Sequence, residues 1–406
     1  MPFVIFVAPW FSENAVSFMT AVARLPGVDL GVVSQEAAER LPGDLRARVA
    51  GHWQVADAFD GGQLAHAAES LARQHGPAHR LLGTVEQLQV PLAEARARLG
   101  LPGLGVEAAQ NFRDKARMKT LLREAGLPCA RHRLAASETE AWLFATEVGY
   151  PLVVKPPAGA GAQATFRVDG PAALGSALAA VRPAPDRPAL VEEFITGDEH
   201  SFETISRSGR ALWHSLTHYS PTPLEVLRHP WIQWCLVLPR ELDDPRYDDI
   251  RRAACRALEV LGMDTGLSHM EWFRRRDGSL AISEVGARPP GAQIMTLISR
   301  AHDVDFVEAW ARLMVFDEFD PPPRRYAAGA AFLRGQGQGQ VKAVHGLEQA
   351  ERELGALVTD VKLPQVGRAP SPSYEGDGYV ILRHPETRVV EQALLRVINL
   401  VRVELG

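Results

Sequence analysis

The sequence predicts a mixed fold, in which an α/β unit with a parallel sheet is followed by an α+β unit with antiparallel strands. Up to about Gly105, short apolar runs alternate with helical stretches. Further along the chain, strand signals recur, and turn residues such as Asp277-Gly278 separate several of them. A chain of 406 residues is also too long for one ordinary hydrophobic core. We therefore expect two or three structural units.

The N-terminal unit begins with the apolar run from Phe3 to Ala8, which is typical of a buried strand. A second strand is predicted over Leu30 to Val33, and helices are predicted over Ala15 to Leu25 and Ala65 to His75. This alternation favours a Rossmann-like parallel sheet. The turn at residues 8–12 carries no GxGxxG fingerprint, so the pattern disfavours a dehydrogenase.

The α+β unit follows a helix predicted from Arg113 to Ala125, which ends at Gly126-Leu127-Pro128. The main strands predicted after it are Leu152 to Lys155, Ala189 to Phe194, Ser201 to Ser206, Leu267 to Phe273 and Leu280 to Val285. A proline-rich segment from Asp317 to Arg325 indicates a boundary. Beyond it, a strand from Gly378 to His384 and a helix to about Val401 are predicted.

The composition of the chain excludes several classes of binding partner and of cellular location. A formal net charge of −5 and a pI near 6.2 argue against a surface that binds nucleic acid by neutralising phosphates, so we expect small-molecule partners. The three cysteines show no CxxC spacing, which disfavours a disulfide framework or a zinc knuckle. No apolar run reaches the roughly 18 to 20 residues that a membrane span needs. These features favour a cytoplasmic protein that does not bind membranes.

The segment at residues 268–288 is predicted to form one β-hairpin. If Asp277-Gly278 is a two-residue turn, Glu271 and Glu284 stand directly opposite each other, with β-carbons roughly 4.5 to 5.5 Å apart. Two carboxylates this close repel each other. The pair is tolerable if a divalent cation lies between them, if one is protonated, or if both reach water.

The same register places His269 opposite Gly286 and Arg288 just beyond the strand end. A cation beside an arginine suits a phosphate or carboxylate ligand. The alternative is a solvated hairpin whose acidic residues balance the arginines at 274–276. From the hairpin alone, both interpretations stay open.

Two further segments carry residues suited to a nucleotide. The strand at residues 152–155 delivers Lys155 immediately before a loop that contains Gly159 and Gly161, an arrangement that can hold phosphates. It is not the GxxxxGK[ST] motif, so a P-loop NTPase is disfavoured. The carboxylates at 192, 193 and 199 could accept hydrogen bonds from adenine and ribose. Taken singly, each feature is better explained without a nucleotide, by a structural lysine and by a charged strand edge that discourages aggregation.

In combination, these segments resemble the ATP-grasp superfamily in order, spacing and residue type from about Asn111 to Gly291. The resemblance implies an ATP-grasp fold with a Rossmann-like pre-grasp domain over residues 1–108 and an ATP-grasp domain over 109–315. The latter would include a lid subdomain at about 128–195. A C-terminal lobe over 316–406 is similar in pattern to that of the carboxylase-like branch.

The resemblance also implies roles for the residues that match the family's motifs. These are nucleotide contact by Lys115, phosphate contact and catalysis by Lys155, a phosphate lid with Gly159 and Gly161, an adenine hinge at Glu192, Glu193 and Phe194, ribose contact by Glu199, magnesium ligation by Glu271 and Glu284, and contact of the transferred phosphate or substrate carboxylate by the catalytic Arg288. One departure is Gly286, where many relatives have an asparagine as a third metal ligand. The metal shell is therefore expected to rely more on water.

The implied activity is that of an ADP-forming carboxylate-amine ligase that uses ATP and Mg²⁺, with Mn²⁺ as an alternative metal. Arg288 and the segment Gly-Ala-Arg-Pro-Pro-Gly are most similar to the amino-acid ligase branch. Two alternatives remain: a bicarbonate-activating enzyme, favoured by Arg383-His384-Pro385, and a non-catalytic ATP-binding subunit, favoured by Gly286. Substrate selection is expected in the segment from His214 to Trp234, and a homodimer is expected by analogy.

Overall fold

A parallel four-stranded sheet forms the centre of the N-terminal unit, as the sequence predicts. The computed structural model describes residues 1–157, 165–229 and 231–406. The unit contains β1 (Phe3–Val7), α1 (Glu13–Arg24), β2 (Asp29–Ser34), α2 (Gly43–Arg46), β3 (Val49–Gln54), α3 (Gly61–His75), β4 (Ala78–Leu82), α4 (Gln89–Leu99) and α5 (Val106–Arg113). The strand order is β3-β2-β1-β4. Every residue of β1 is buried, as expected for a central parallel strand with helices on both faces.

A smaller antiparallel sheet follows. Its segment contains α6 (Lys115–Glu124), β5 (His132–Ala135), α7 (Glu138–Val148), β6 (Leu152–Lys155), β7 (Phe166–Val168), α8 (Pro171–Val181) and β8 (Ala189–Glu193). The strand order is β5-β8-β6-β7, and buried apolar residues such as Phe144 and Leu178 join the sheet to α7 and α8. The loop with Gly159 and Gly161, which was predicted to cover phosphates, lies outside the described residues.

The rest of the chain builds a larger sheet and a C-terminal layer. The elements are β9 (Gly197–Arg207), β10 (Arg210–Ser220), α9 (Pro223–Arg228), β11 (Cys235–Leu238), α10 (Asp248–Leu261), β12 (Gly266–Arg275), β13 (Leu280–Gly286), α11 (Ile294–His302), α12 (Phe306–Phe316), β14 (Ala327–Leu333), β15 (Gly335–Gln336), β16 (Val341–His345), α13 (Leu347–Leu354), β17 (Val358–Lys362), β18 (Gly378–His384), α14 (Thr387–Leu400) and β19 (Arg402–Leu405).

Eight of these strands form one antiparallel sheet in the order β13-β12-β9-β10-β11-β14-β18-β17. The predicted α+β arrangement with antiparallel pairing is therefore confirmed. Strands from both sides of residue 315 join this sheet, and the predicted domain boundaries stay a prediction. Helix α14 packs so closely on β14 that a β-carbon at Gly329 would lie 2.6 Å from Leu394, which explains the glycine. Within the described ranges, no helix is both long and apolar enough to cross a membrane.

Candidate active site

The hairpin of β12 and β13 brings two carboxylates together. Glu271 and Glu284 are register partners, and His269 partners Gly286, as the sequence predicts. Both carboxylates line a cavity of about 600 Å³, which also receives the side chain of Arg288 just beyond β13. The hairpin therefore presents acidic and basic groups to one cavity.

The turn that produces this register differs from the prediction. Residues 276–278 form the turn, with the Arg275 N–H donating to the Ser279 carbonyl at 2.8 Å and Gly278 at a φ of 84°. A three-residue turn shifts the register by one residue, and a bulge at Ser283 shifts it back. The predicted two-residue turn is wrong, but the predicted pairing is right because the two shifts cancel.

The bulge also exposes a carbonyl to a buried lysine. Lys119 is 1% exposed, and its Nζ donates to the Ser283 carbonyl at 2.7 Å. The same Nζ lies 3.2 Å from the Glu192 carboxylate. Sequence reasoning missed Lys119, although it stands one helical turn after Lys115 on α6, where i and i+4 side chains share a face. Asp114 caps the start of this helix and so fixes where both lysines point.

The carboxylate of Glu192 lies between two lysines that also line the cavity. Its carboxylate contacts Lys155 Nζ on one side and Lys119 on the other. Burial alone would raise the pKa of Glu192, but the two lysines outweigh burial and lower the pKa to about 2. Burial lowers the pKa of Lys155, yet Glu192 and Glu284 outweigh it and raise that pKa. The Glu192 carboxylate thus pairs with two lysines in this structure. The sequence analysis predicted that it contacts adenine.

The other predicted nucleotide contacts also line the cavity. Glu193 pairs with Arg131 at 3.2 Å, and the ring of Phe194 lies beneath the Arg167 guanidinium at 4.4 Å. Lys115 pairs with Glu284. The structure therefore brings Lys115, Lys155, the hinge residues, Glu199 and the hairpin carboxylates to one cavity.

A buried carboxylate braces the hairpin from behind. Glu203 on β9 is fully buried and accepts hydrogen bonds from Ser201 Oγ at 2.5 Å and Thr217 Oγ1 at 3.3 Å. His269 Nδ1 lies 2.8 Å from Glu203, and its Nε2 lies 3.7 Å from Glu271. Burial lowers the pKa of His269, but the hydrogen bond to Glu203 and the nearby Glu271 carboxylate outweigh burial and raise the pKa to about 9. His269 thus lies between Glu203 and Glu271.

Glu199 lies close to the two carboxylates of the hairpin. Burial raises the pKa of Glu199 well above its usual range, and Glu271 and Glu284 add to this shift, with Lys155 opposing it. Hard divalent cations prefer carboxylate oxygens, so this donor set fits Mg²⁺. Among the residues that the structure describes, no group of three or more His, Cys, Asp or Glu side chains forms a metal cluster.

Arg288 is fixed by a residue from the N-terminal unit. Its Nε donates to Glu86 at 2.7 Å and its Nη1 donates to the Pro289 carbonyl at 3.0 Å. A β-carbon at Gly286 would lie 3.2 Å from the same Glu86 oxygen. The glycine that replaces the family's asparagine therefore leaves room for the Glu86 to Arg288 ion pair. Sequence reasoning missed Glu86, which is 202 positions from Arg288.

The segment predicted to select substrate contributes only in part. Tyr219 and Trp234 line the cavity, while His214 and His218 do not. His218 instead lies within hydrogen-bond distance of His200 and of the Tyr247 hydroxyl. Strand alternation explains the difference, because successive side chains of β10 point to opposite faces.

The sequence matches the model of a known protein family. The model of the ATP-grasp domain matches residues 120–302, the part of the chain that carries the small sheet and the hairpin. Residues 120–302 therefore form an ATP-grasp domain.

Individual relatives agree with this assignment. An uncharacterized protein, y4rH of Sinorhizobium fredii, is 25% identical over 370 residues, covering 86% of this chain and 71% of that protein. The L-arginine-specific L-amino acid ligase of Bacillus subtilis is 25% identical over 246 residues, or 59% of each chain. The crystal structure of an L-amino acid ligase from Bacillus licheniformis matches with a TM-score of 0.79 at 20% identity, covering 100% of this chain and 99% of that one. The prediction of an ADP-forming ATP-grasp ligase that makes carbon-nitrogen bonds is confirmed.

Proposed function

We propose that this ATP-grasp ligase joins the carboxylate of an amino acid to an amine, with an acyl phosphate as the intermediate. The observation that carries the proposal is the convergence of two opposed carboxylates, buried lysines and an anchored arginine on one cavity. A carboxylate is a poor electrophile, and transfer of a phosphoryl group from ATP gives it a good leaving group. The enzyme's task is then to position the reactants and to offset charge.

Mg²⁺, held by Glu271 and Glu284, would neutralise charge on the nucleotide phosphates and on the transferred phosphoryl group. The two carboxylates supply the kind of oxygen donors that the ion prefers, and Mn²⁺ accepts the same donors. The homodimer expected from the sequence stays a prediction.

The chain's own cations would offset the rest of the negative charge. Lys115 and Lys155 each contact a glutamate that fixes the ammonium group beside the cavity. Arg288 is held by Glu86 and by the Pro289 carbonyl, so its guanidinium has a set orientation. We assign this arginine to the acyl phosphate, because a fixed guanidinium matches the geometry of phosphate oxygens. The amine then attacks the acyl carbon and phosphate leaves.

The names of two similar proteins, both L-amino acid ligases, support an amino acid as the activated acid. The test measures release of ADP and phosphate from MgATP with single amino acids, amino-acid pairs, simple amines and bicarbonate, and identifies products by mass spectrometry. ADP together with a condensed amide supports the proposal. Turnover with bicarbonate alone would favour a carboxylase-like enzyme, and ATP binding without stimulated turnover would favour a non-catalytic subunit.

A matched pair of variants tests the site. Glu284→Gln removes a proposed metal ligand and should lower turnover by about 100-fold or more, the scale seen when one electrostatic group is removed from an active site. Glu391→Gln changes an exposed residue of α14 and should match the wild type. Wild-type turnover in Glu284→Gln would refute the site assignment.

A further inference from the structure

The carboxylates around the cavity are unequally paired. Among the residues that the structure describes, seven glutamates line it: Glu86, Glu192, Glu193, Glu199, Glu271, Glu284 and Glu375. Five of them lie within 4.0 Å of a cationic side chain. In the part of the chain that the structure describes, Glu199 and Glu375 have no such partner. Glu199 lies near the proposed magnesium carboxylates, so Glu375 is the glutamate that has neither a cationic side chain nor a proposed metal beside it.

Glu375 has a defined environment at the C-terminal side of the cavity. Its Oε1 accepts a hydrogen bond from the Ala292 N–H at 3.3 Å. Burial raises the pKa of Glu375, although the Ala292 N–H and Lys362 oppose the shift. The Lys362 ammonium itself binds both carboxylate oxygens of Glu13, at 2.8 and 3.0 Å. A largely buried carboxylate without its own cation is unfavourable unless it takes up a proton or a ligand supplies a cation.

The backbone around this carboxylate is also held in an unusual conformation. Ala292 and Gln293 have φ values of 52° and 58°, in the left-handed region that non-glycine residues rarely adopt. This turn precedes α11 and directs the Ala292 N–H at Glu375. On the other side, the Tyr374 ring packs edge-on against Trp234, with ring centroids 4.9 Å apart. The carboxylate is therefore positioned from two directions and lines the cavity beside an aromatic wall.

We propose that Glu375 determines substrate specificity by binding a cationic group, an ammonium or a guanidinium, of the amino acid substrate. This inference rests on the proposed function. An attacking amine must be neutral, with a free lone pair, so the bound cation is a group that does not react. It is either the α-ammonium of the amino acid that is activated or a cationic side chain. A carboxylate that accepts a charge-assisted hydrogen bond suits both.

Two pairs of probes separate these sources. L-alanine and propionate differ by the α-ammonium, and L-lysine and L-norleucine differ by a side-chain ammonium. Dissociation constants are measured by calorimetry with Mg²⁺ and a non-hydrolysable ATP analogue, and KM and kcat are measured where turnover occurs. In one pair, Glu375→Gln should weaken binding of the member that carries the additional ammonium by about 10- to 100-fold and leave the member that lacks it within about 3-fold. The pair that responds identifies the group. The KM for ATP should not change.

The controls separate this inference from the proposed function. Glu391→Gln, on the exposed face of α14, should leave every constant unchanged. Equal effects of Glu375→Gln on both members of each pair, or no effect on either, would overturn the assignment. If no tested substrate stimulates ATP turnover by the wild-type protein, the proposed function fails. The binding series still decides the role of Glu375.

Discussion

At the scale of single residues, Glu192 compensates the burial of two lysines. It pairs with Lys155 and lies 3.2 Å from Lys119, which is 1% exposed. Glu192→Gln keeps the shape of the side chain but leaves two ammonium groups without their anion. We therefore expect this variant to lower the free energy of unfolding by about 3 to 5 kcal/mol. Urea denaturation followed by circular dichroism measures the change.

The neighbouring glutamate provides the control. The side chain of Glu193 is 31% exposed in its ion pair with Arg131. Glu193→Gln should therefore cost only about 0 to 1 kcal/mol. Equal losses for the two variants would show that Glu192 does not stabilise the lysines.

Several site residues could be predicted from local sequence, and others could not. Lys119 was missed, although its spacing from Lys115 places both on one face of α6. Glu203 was also missed, although it continues the alternation of Glu199 and Ser201 along one face of β9. Glu86 carried no local signal, because its partner Arg288 is 202 positions away and only the tertiary fold brings them together.

At the scale of elements, the hairpin shows what a strand pattern can specify. Met270, Trp272, Ile282 and Val285 are buried, and they fix which face of each strand packs against the interior. The two carboxylates then fall on the other face, whatever the turn is. The turn length and the bulge at Ser283 each shift the strand register by one residue. The apolar pattern reports which face of a strand is buried, and it does not report turn length or bulges.

Two histidines on the opposite face of the same sheet, His200 and His218, should make the stability of the protein depend on pH. Burial, reinforced by His218, lowers the pKa of His200 to about 3, and burial, reinforced by Arg246, lowers the pKa of His218 to about 4. In the unfolded chain, histidine titrates near 6.5. Between these values the unfolded state binds more protons, so the free energy of unfolding should fall as the pH is lowered from about 6.5 to 4.

The double variant His200→Gln, His218→Gln should reduce the slope of this decline in urea denaturation at a series of pH values. Its absolute stability at pH 7.5 is a separate quantity, because the contact with the Tyr247 hydroxyl changes too. His269 has the opposite effect, because its pKa is raised to about 9. Its contribution to the free energy of unfolding is complete below pH 6.5 and is lost as the pH rises through 9. Identical slopes for variant and wild type below pH 6.5 would contradict the prediction.

At the scale of the whole molecule, the order of units could be predicted but the composition of the central sheet could not. The strand over Gly378–His384 was predicted with its observed bounds. Its pairing with β14, and the pairing of Cys235 on β11 with Ala331, join strands far apart in sequence. Local periodicity reports burial and strand character, but it does not identify distant partners.

Because segments distant in sequence line one cavity, a ligand that bridges them should stabilise the whole molecule. We expect MgATP at 100 times its dissociation constant to raise the free energy of unfolding by about 2.7 kcal/mol, and the melting temperature by several degrees. ATP with EDTA should give a smaller rise. Without a cation, the carboxylates of Glu271 and Glu284 repel the phosphates. Scanning fluorimetry measures both shifts, with MgCl₂ alone as the reference.

The difference between the MgATP and the ATP-EDTA shifts reports the metal at this site. Glu271→Gln removes one of the two opposed carboxylates, so this difference should shrink towards zero, whereas Glu391→Gln should keep it. A difference that survives in Glu271→Gln would place the metal on other residues. Equal shifts with and without Mg²⁺ in the wild type would mean that the lysines and Arg288 alone compensate the phosphates, and that the paired carboxylates serve another purpose.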